Sequence, residues 1–427
     1  MKDKTLAVSK ILSKGKTRVR KPKPPPPNPE IDNYNPEESN YYNDLEPEKQ
    51  EAITRNEIRI GSILELATPL RFKILLSNID EKLKSIAIQK LNNLCCMDPG
   101  GSEYLKALSW IQSVCRIPFN VYKPLPVDFN SLKSDIQDFL KKAKDNFDNT
   151  IYGHTVAKEH IIRLLAQWIS NPNSKGMAIG IQGGPGQGKT DLVKECICKI
   201  LGLPFAFIPL GGAGDGSYLD GHSYTYEGAT WGKVVDVLMK SKCMNPVFFF
   251  DELDKVSDSY HGEEIIGKLI HLTDITQNDK VSDRYFTDFD FDLSRCLFIF
   301  AYNEEENINP VLRDRMVKIR TNGYMVQDKI QIAQKFMIER ILKEYNMVKN
   351  DIVFSDDIIQ YIIQKIDDEG GVRNMRRALI DVVSNINLNR LLSDTNYMEF
   401  PYTVKIVDVD KYVHNVKDDK CANMMYI

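Results

Sequence analysis

A short glycine-rich segment constrains the fold of this 427-residue chain more than any other feature. Residues 183–190 read GGPGQGKT, which fits the pattern G-x-x-x-x-G-K-[ST] at every specified position. The apolar run MAIGIQ, of strand length, precedes the segment, and the helix-like stretch DLVKECICKI follows it. A strand, a glycine-rich turn and a helix in this order are typical of the phosphate-binding loop of α/β proteins.

The residue types in this loop suit the binding of phosphate groups. Glycines allow backbone N–H groups to converge on phosphate oxygens at the N-terminus of a helix. Lys189 can reach the outer phosphates, and the Thr190 hydroxyl can ligate Mg²⁺. A plain glycine-rich turn is the alternative, which the flanking strand and helix disfavour. The sequence therefore predicts a site for ATP and Mg²⁺ whose cofactor-binding residues are Gly183, Gly184, Pro185, Gly186, Gln187, Gly188, Lys189 and Thr190.

Two carboxylates follow a second apolar run of strand length. Residues 247–250 read VFFF, and Asp251 and Glu252 come directly after them. Because ligands of parallel sheets bind at the carboxyl ends of the strands, this position favours a role at the same site. We expect Asp251 to hold Mg²⁺ through water, and Glu252 to act as the general base toward the attacking water. Acids in a simple turn are the alternative.

The order of the apolar patterns indicates an α/β fold with helical flanks. Short apolar runs alternate with helix-length segments between Met177 and Asn303, as in parallel sheets with crossover helices. Helical periodicity dominates residues 60–110 and 328–391. We predict a disordered tail (1–58), a helical N-terminal domain with a connector (59–148), a nucleotide-binding core (149–325), a helical lid (326–395) and a C-terminal extension (396–427).

The tail differs in composition from the rest of the chain. It combines a Lys- and Arg-rich segment, the run KPKPPPPNPE and a stretch rich in Glu, Asp, Asn and Tyr, which predicts disorder. A docking arm for an anionic partner or a proline-binding module is one interpretation. A solvated linker is the other.

Overall charge and hydropathy narrow the class of protein. A net charge of -3 and a pI near 6.2 give no general attraction to nucleic acid or to an anionic membrane. No apolar run approaches the roughly 20 residues that span a bilayer, and the N-terminus lacks a signal-peptide pattern. We therefore expect a soluble, intracellular and cytoplasmic protein without membrane contact. The eight cysteines are dispersed without zinc-site spacing, so we expect reduced, structural thiols.

From Pro209 onward the sequence resembles the ATPase part of Lon proteases, which are AAA+ ATPases. The first pore-loop stretch of that family is matched by PLGGAGDGSYLDGHSYTYEGA, and its Walker B segment by NPVFFFDELDK. Its hairpin, sensor 1 and arginine-finger region are matched by DRYFTDFDFDLSRCLFIFAYNEEENINPVLRDRM, and its sensor 2 helix by GGVRNMRRAL. Upstream, EYLKALSWIQSVCRIPF and the IYGH segment resemble the helical region before the Lon ATPase. The resemblance thus spans about residues 60–391.

This resemblance implies roles for four further residues. Asn303 matches sensor 1, which orients the attacking water or contacts the γ-phosphate. Arg315 matches the arginine finger that a neighbouring subunit lends to the active site, where a cation stabilises transition-state charge. Arg373 matches sensor 2, and Tyr152 resembles the lining of the adenine pocket. The alternatives are a strand-capping asparagine and ordinary surface side chains.

The match to the substrate-gripping pore is incomplete. Tyr226 falls where Lon places the aromatic residue of its first pore loop, but Glu227 follows it where Lon has an aliphatic residue. A carboxylate there would weaken an apolar grip on a threaded polypeptide. An ordinary loop tyrosine is the alternative for Tyr226, and Tyr260 is a candidate for a second pore loop.

The resemblance implies an ATP-hydrolysing ring of six subunits that unfolds or remodels protein. Lon carries a Ser-Lys peptidase domain after its ATPase, and the residues between Arg373 and Ile427 are too few for a separate domain of about 100 residues. We therefore expect no peptidase in this chain and consider a separate peptidase as a partner. A motor or loader acting on nucleic acid and a scaffold without turnover are the alternatives.

Overall fold

The computed structural model describes residues 34–65, 68–172, 174–226, 228–256, 259–366, 369–392 and 401–413. The basic, proline-rich part of the predicted tail, residues 1–33, lies outside them, as does Glu227. The chain divides into two compact units, one up to Lys73 and one from Ile74 onward.

Most described residues of the first unit are helical, so the prediction of disorder up to residue 58 is wrong for residues 34–58. Helix α1 (Pro36–Asn43) begins with a capping box, in which the Asn35 side chain and Glu38 each accept the other's backbone N–H. Helix α2 (Pro47–Glu65) carries Thr54, whose hydroxyl lies 2.8 Å from the hydroxyl of Tyr42. Local caps and polar contacts thus support these helices where the sequence has no strong apolar stripe.

In the described part of the chain, five further helices precede the first strand of the sheet. They are α3 (Leu70–Leu76), α4 (Glu81–Leu94), α5 (Ser102–Val114), α6 (Lys133–Thr150) and α7 (Thr155–Ser170). Trp110 of α5 packs against Phe286 and Phe289, with ring centroids 5.9 and 5.5 Å apart. The apolar periodicity of IYGHTVAKEHIIRLLAQWI indicates one helix, but Gly153 and His154 have φ values of 70° and 52°. Two left-handed residues in a row prevent a helix from starting before Thr155.

Five parallel strands form the central sheet. They are β1 (Ala178–Gln182), β2 (Phe205–Pro209), β3 (Val247–Asp251), β6 (Leu297–Tyr302) and β7 (Met316–Arg320), in the order β2-β3-β6-β1-β7. The first four coincide with the apolar runs of the sequence. Strands β1, β3 and β6 are central and almost wholly buried, which explains their continuous apolar character.

Both faces of the sheet are packed. On one face Phe249 and Ile299 join a buried cluster with α6 and α7, to which Phe147 and Leu165 belong. On the other face aromatic rings stack between neighbouring strands, with Phe250 and Phe300 at a centroid distance of 5.0 Å. These two layers fix the carboxyl ends of β1, β3 and β6 relative to one another.

The crossover segments supply the remaining helices and a small hairpin. After β1 the chain forms α8 (Lys189–Asp191), a π-helical stretch (Leu192–Cys198) and α9 (Lys199–Leu201) in succession. Helices α10 (Ser217–Asp220) and α11 (Lys233–Ser241) precede β3. A 3-10 turn (Leu253–Lys255), α12 (Tyr260–Thr273), the strands β4 (Val281–Ser282) and β5 (Asp290–Phe291), a second 3-10 turn (Glu305–Asn307) and α13 (Pro310–Asp314) complete the region.

A helical lid follows the sheet. It contains α14 (Val326–Ile332), a π-helical stretch (Ala333–Met337), α15 (Ile338–Glu344), β8 (Ile352–Val353), α16 (Asp356–Lys365), α17 (Arg373–Leu392), β9 (Tyr402–Thr403) and α18 (Ile406–Tyr412). Val404, Val409 and Val413 belong to the same buried cluster as the helices before them, and β8 pairs with β9. Residues 401–413 therefore pack as part of the lid.

Candidate functional site

One cleft of about 450 Å³ collects most of the residues singled out in the sequence. It lies at the carboxyl ends of β1, β3 and β6 and is also bounded by the lid. Its lining includes Tyr152, Pro185, Gly186, Gln187, Gly188, Lys189, Thr190, Asp251, Glu252, Asn303 and Arg373. Gly183 and Gly184 lie behind Lys189, since their carbonyl oxygens accept hydrogen bonds from its ammonium group.

Lys189 is a half-buried cation surrounded by neutral oxygens. Its Nζ donates to the carbonyl oxygens of Gly183 and Gly184 and, at 2.8 Å, to Oδ1 of Asn303. Burial is the main effect on its pKa and lowers it, while the charges of Asp251 and Asp254 raise it. Among the residues that the structure describes, only uncharged oxygens bond this ammonium group directly, and an anion bound in the cleft would balance its charge.

Backbone geometry explains the glycines of the loop. Gly186 and Gly188 have φ values of +73° and +78°, a region that disfavours residues with a Cβ. At Gly183 a Cβ would lie 1.8 Å from Oγ1 of Thr321, which follows β7. Since α8 begins at Lys189, the N–H groups of the first helical turn have no intrahelical acceptor and are available to a ligand.

The two carboxylates after β3 have different surroundings. Burial raises the pKa of Asp251, whose Oδ1 accepts the backbone N–H of Glu252 at 3.0 Å. Glu252 is exposed and has left-handed backbone angles, φ 59° and ψ 44°. This is an uncommon conformation for a residue with a side chain, of the kind found at functional sites. A Cβ on Gly211 would lie 2.5 Å from Oε2 of Glu252, so a glycine there gives the carboxylate room.

Asn303 reaches the cleft from the end of β6 and is fixed there by Asp254. The backbone N–H groups of Asn303 and Glu304 both donate to Oδ2 of Asp254 at 3.2 Å. Asp254 is buried, 6% exposed, in the turn that follows Glu252. Asp254 was not predicted as a site residue, because its partners lie 49 and 50 residues further along the chain.

The lid meets the phosphate loop through backbone contacts. The N–H of Val372 donates to the carbonyl oxygen of Gly186 at 3.1 Å, and a Cβ on Gly371 would lie 2.1 Å from the carbonyl oxygen of Pro185. Arg373 follows directly, as the first residue of α17. Gly371 therefore permits a close approach that places Arg373 at the cleft.

Two more arginines of the lid line the cleft, and neither was predicted from the sequence as a site residue. Arg340 lies 3.8 Å from Asp191 of α8, and Arg376 pairs with Glu344 at 3.0 Å. Arg376 is three residues after Arg373 and so shares its helix face, which was the available signal. Arg340 had no such signal, because its partner lies in a distant segment.

A histidine and a tyrosine support the loop from outside. Nε2 of His154 lies 3.1 Å from the carbonyl oxygen of Gln187 and 2.7 Å from the hydroxyl of Tyr324. The Tyr324 hydroxyl donates to the same carbonyl oxygen at 3.3 Å. Burial lowers the pKa of His154. Tyr152, two residues before it, lines the cleft and packs against the lid cluster.

Arg315 and Tyr226 lie away from this cleft. Arg315 is bonded to Asp274 at the end of α12, and neither residue is among those that line the cleft. Tyr226 is 68% exposed and Tyr260 is 72% exposed. The Tyr260 ring contacts His261 at a centroid distance of 5.8 Å, and the exposure of both tyrosines leaves room for contacts outside this chain.

The cleft fits a magnesium nucleotide. Lys189 and the first turn of α8 suit phosphate oxygens, and the Thr190 hydroxyl with Asp251 suits Mg²⁺, which is commonly held by one or two protein oxygens plus substrate phosphates. Within the described part of the chain, there is no cluster of three or more His, Cys, Asp or Glu side chains able to hold a metal. Also within that part, no helix is long and apolar enough to cross a bilayer.

Comparisons with known proteins agree with this geometry. The family described as "ATPase family associated with various cellular activities (AAA)" matches residues 179–324. A Lon protease homolog of Acanthamoeba polyphaga mimivirus is 34% identical over 359 residues, which cover 82% of this chain and 34% of that protein. The Lon protease of Fusobacterium nucleatum subsp. nucleatum is 30% identical over 355 residues, covering 83% of this chain and 43% of that protein.

A further relative is Lon protease 2 of Bdellovibrio bacteriovorus, 33% identical over 353 residues, which cover 82% of this chain and 42% of that protein. The chain thus spans between 34% and 43% of the length of these three curated relatives. Residues 179–324 therefore match the AAA family of ATPases, and the similarity to Lon proteases that the motifs indicated is confirmed over about four fifths of the chain.

Proposed function

We propose that this chain hydrolyses ATP in the cleft and uses the energy to unfold or remodel protein. The observation that carries the first half is the convergence of Lys189, Asp251, Glu252 and Asn303 at the ends of three adjacent parallel strands. In this arrangement a phosphate-binding cation, two carboxylates and an amide surround one space, as phosphoryl transfer to water requires.

Each residue has a proposed task at this site. Lys189 binds phosphate oxygens, while Thr190 and Asp251 hold the metal ion. Bound Mg²⁺ would neutralise the charge that develops on the phosphates during transfer. Glu252 accepts a proton from the attacking water, and Asn303 orients that water. Arg373 links the nucleotide to the lid, and Tyr152 lines the pocket for the adenine ring.

We propose that Arg315 acts on the nucleotide of a neighbouring subunit in a homo-oligomeric ring of about six subunits. Its distance from the chain's own cleft supports this role, because a cation at a subunit edge reaches another subunit's site in a head-to-tail ring. The similarity to Lon proteases supports the same arrangement.

We further propose that the exposed tyrosines contact an unfolded polypeptide. Tyr226 and Tyr260 supply aromatic side chains at loop and helix-start positions, and both are largely exposed. In this proposal the core of residues 149–325 and its lid carry out ATP hydrolysis, and these 427 residues have no other enzymatic function. Any peptide cleavage is assigned to a separate domain or chain.

The decisive measurement is phosphate release from ATP and Mg²⁺ by the purified chain, alone, with an unfolded polypeptide and with DNA. We expect turnover that the polypeptide stimulates.

Glu252→Gln should retain nucleotide binding and lose about 100-fold in turnover, the scale of a lost general base. Lys189→Ala should lose binding, whereas Lys194→Ala should not, because Lys194 lies on the same helical segment with its side chain 58% exposed.

Three results would contradict parts of this proposal. Equal turnover of the wild-type chain and Glu252→Gln would remove Glu252 from the role of base. Tight ATP binding by Lys189→Ala would remove the phosphate-loop assignment. Stimulation by DNA alone, with binding that weakens steeply as salt rises, would favour a motor acting on nucleic acid.

A further inference from the structure

Arg315 is held at the C-terminal end of α12. Its Nη1 lies 2.8 Å from Oδ2 of Asp274 and donates to the carbonyl oxygen of Ile270 at 3.4 Å. Arg315 itself is the C-cap of α13, and Asp274 is the C-cap of α12. The ion pair therefore ties the ends of two helices together and gives the guanidinium one preferred position.

Asp274 is fixed by a second set of contacts. Its Oδ1 accepts the backbone N–H of Thr276 at 2.9 Å and the Thr276 hydroxyl at 2.6 Å. These hydrogen bonds, together with the guanidinium of Arg315, hold the pKa of Asp274 well below its ordinary value. Oδ1 of Asp274 thus accepts both hydrogen bonds from Thr276, and Oδ2 pairs with Arg315.

The ion pair leaves part of the guanidinium unused. Among the described residues, both contacts of the group that involve protein oxygens use Nη1. A guanidinium has five N–H donors in a planar fork, so the donors on Nη2 and Nε can still meet a second acceptor. The Arg315 side chain is 30% exposed, which leaves that part of the fork open to another molecule.

We propose that Asp274 is a positioning residue, which holds Arg315 so that the rest of its guanidinium meets the phosphate of the nucleotide bound by the adjacent subunit. This inference rests on the proposed role of Arg315 in a neighbour's site. A free arginine side chain loses much conformational freedom when it binds, and an arginine already ordered by Asp274 loses less. Orientation of this kind raises the rate of the chemical step.

A mixed ring can test this inference, because it separates the subunit that binds ATP from the subunit that donates Arg315. The reference ring mixes an Arg315→Ala chain with a Glu252→Gln chain. In that ring only one kind of interface is complete, with Glu252 from the first chain and Arg315 from the second. Recovered turnover therefore reports on a known donor of the arginine.

Asp274→Asn is then placed in one chain at a time. In the Glu252→Gln chain it should lower recovered turnover about 10- to 100-fold, the scale of a misplaced catalytic group. In the Arg315→Ala chain it should change nothing, because that chain's arginine is already absent. Asp279→Asn in the Glu252→Gln chain is the matched control, an exposed carboxylate of the same loop. Asp274→Glu, which retains the charge, should restore part of the turnover.

Each other outcome would overturn the inference. An equal loss in both placements would mean that Asp274 only stabilises the fold. Unchanged turnover would remove it from any role, and higher turnover would mean that it competes with phosphate for Arg315. If the reference ring assembles by sedimentation yet shows no turnover, Arg315 does not act in a neighbour's site and the inference fails. The proposed ATP hydrolysis would still stand if the wild-type chain is active.

Discussion

Burial of His154 beside the phosphate loop favours its neutral imidazole. The ring is largely buried and lies beside the Gln187 carbonyl oxygen and the Tyr324 hydroxyl. Burial lowers its pKa, so between the folded-state value and the ordinary value near 6.5 the unfolded chain binds more protons than the folded chain. The stabilisation is therefore complete above about pH 6.5 and is lost as the pH falls below it.

We predict that His154→Asn reduces this loss of stability on acidification. Asparagine tolerates the left-handed backbone of residue 154 and does not titrate. The measurement is the free energy of unfolding of both proteins between pH 8 and pH 5.5. His160→Asn, on the same helix, is the control and should retain the wild-type pH dependence because His154 is intact. An unchanged pH dependence in His154→Asn would show that other groups cause it.

At the scale of single residues, the sequence was informative where residue type and local spacing determine position. Lys189 begins the helix that follows the glycine-rich loop, Asp251 and Glu252 lie at the end of β3, and all three line one cleft. His154 and Asp254 were missed as supporting residues. Their partners are Tyr324 and Asn303, far away in the chain, and such contacts depend on the packed fold and not on a local pattern.

The contact between the phosphate loop and the lid depends on Gly371. We predict that Gly371→Ala lowers the free energy of unfolding by about 1–3 kcal/mol, since its Cβ would overlap the Pro185 carbonyl oxygen. It should also weaken nucleotide binding, because Arg373 would move away from the cleft. Gly370→Ala is the control, since its Cβ would meet the end of the flexible Gln187 side chain at 3.3 Å.

Denaturant unfolding and nucleotide titration would test this prediction. If the two alanine variants lose stability and affinity equally, the close approach at Gly371 is not what joins the lid to the loop. If Gly371→Ala loses stability but binds nucleotide as before, the lid contact contributes to the fold alone.

Among the elements, the sequence predicted the four most apolar strands but not β7. In β7 only Met316 and Ile319 are buried, so its five residues carry no continuous apolar run. The π-helical stretch after Lys189 also has no local signal, because it preserves an ordinary helical composition. Both features are settled by packing against neighbouring elements.

For the whole molecule, we predict that turnover per subunit falls on dilution, because each complete site needs an arginine from a neighbour. Mixing equal amounts of Arg315→Ala and Glu252→Gln chains should restore up to about a quarter of wild-type turnover, since that share of random interfaces is complete. Each variant alone forms no complete interface. Turnover that is independent of concentration down to dissociated subunits would contradict a shared site.

For the whole molecule, the sequence predicted that the lid follows the sheet, but the lid was predicted to end at residue 395 and extends further. Residues 401–413 were assigned to an extension, yet Val404 and Val409 are buried in the lid cluster and Tyr402 pairs with Ile352. The pairing joins residues 50 positions apart in a two-residue strand, and such short, distant contacts leave no periodic pattern to read.

Helix α12 connects the exposed Tyr260 with the ion pair of Asp274 and Arg315. It begins at the exposed Tyr260 and ends next to Asp274, and its 14 residues span about 21 Å. A continuous helix of this length behaves as a stiff rod, so an axial push on its first turn is delivered at its last. If a polypeptide binds Tyr260, the force that it exerts would reach the guanidinium of Arg315 through α12 and Asp274. It would thereby affect the timing of ATP hydrolysis in the neighbouring subunit.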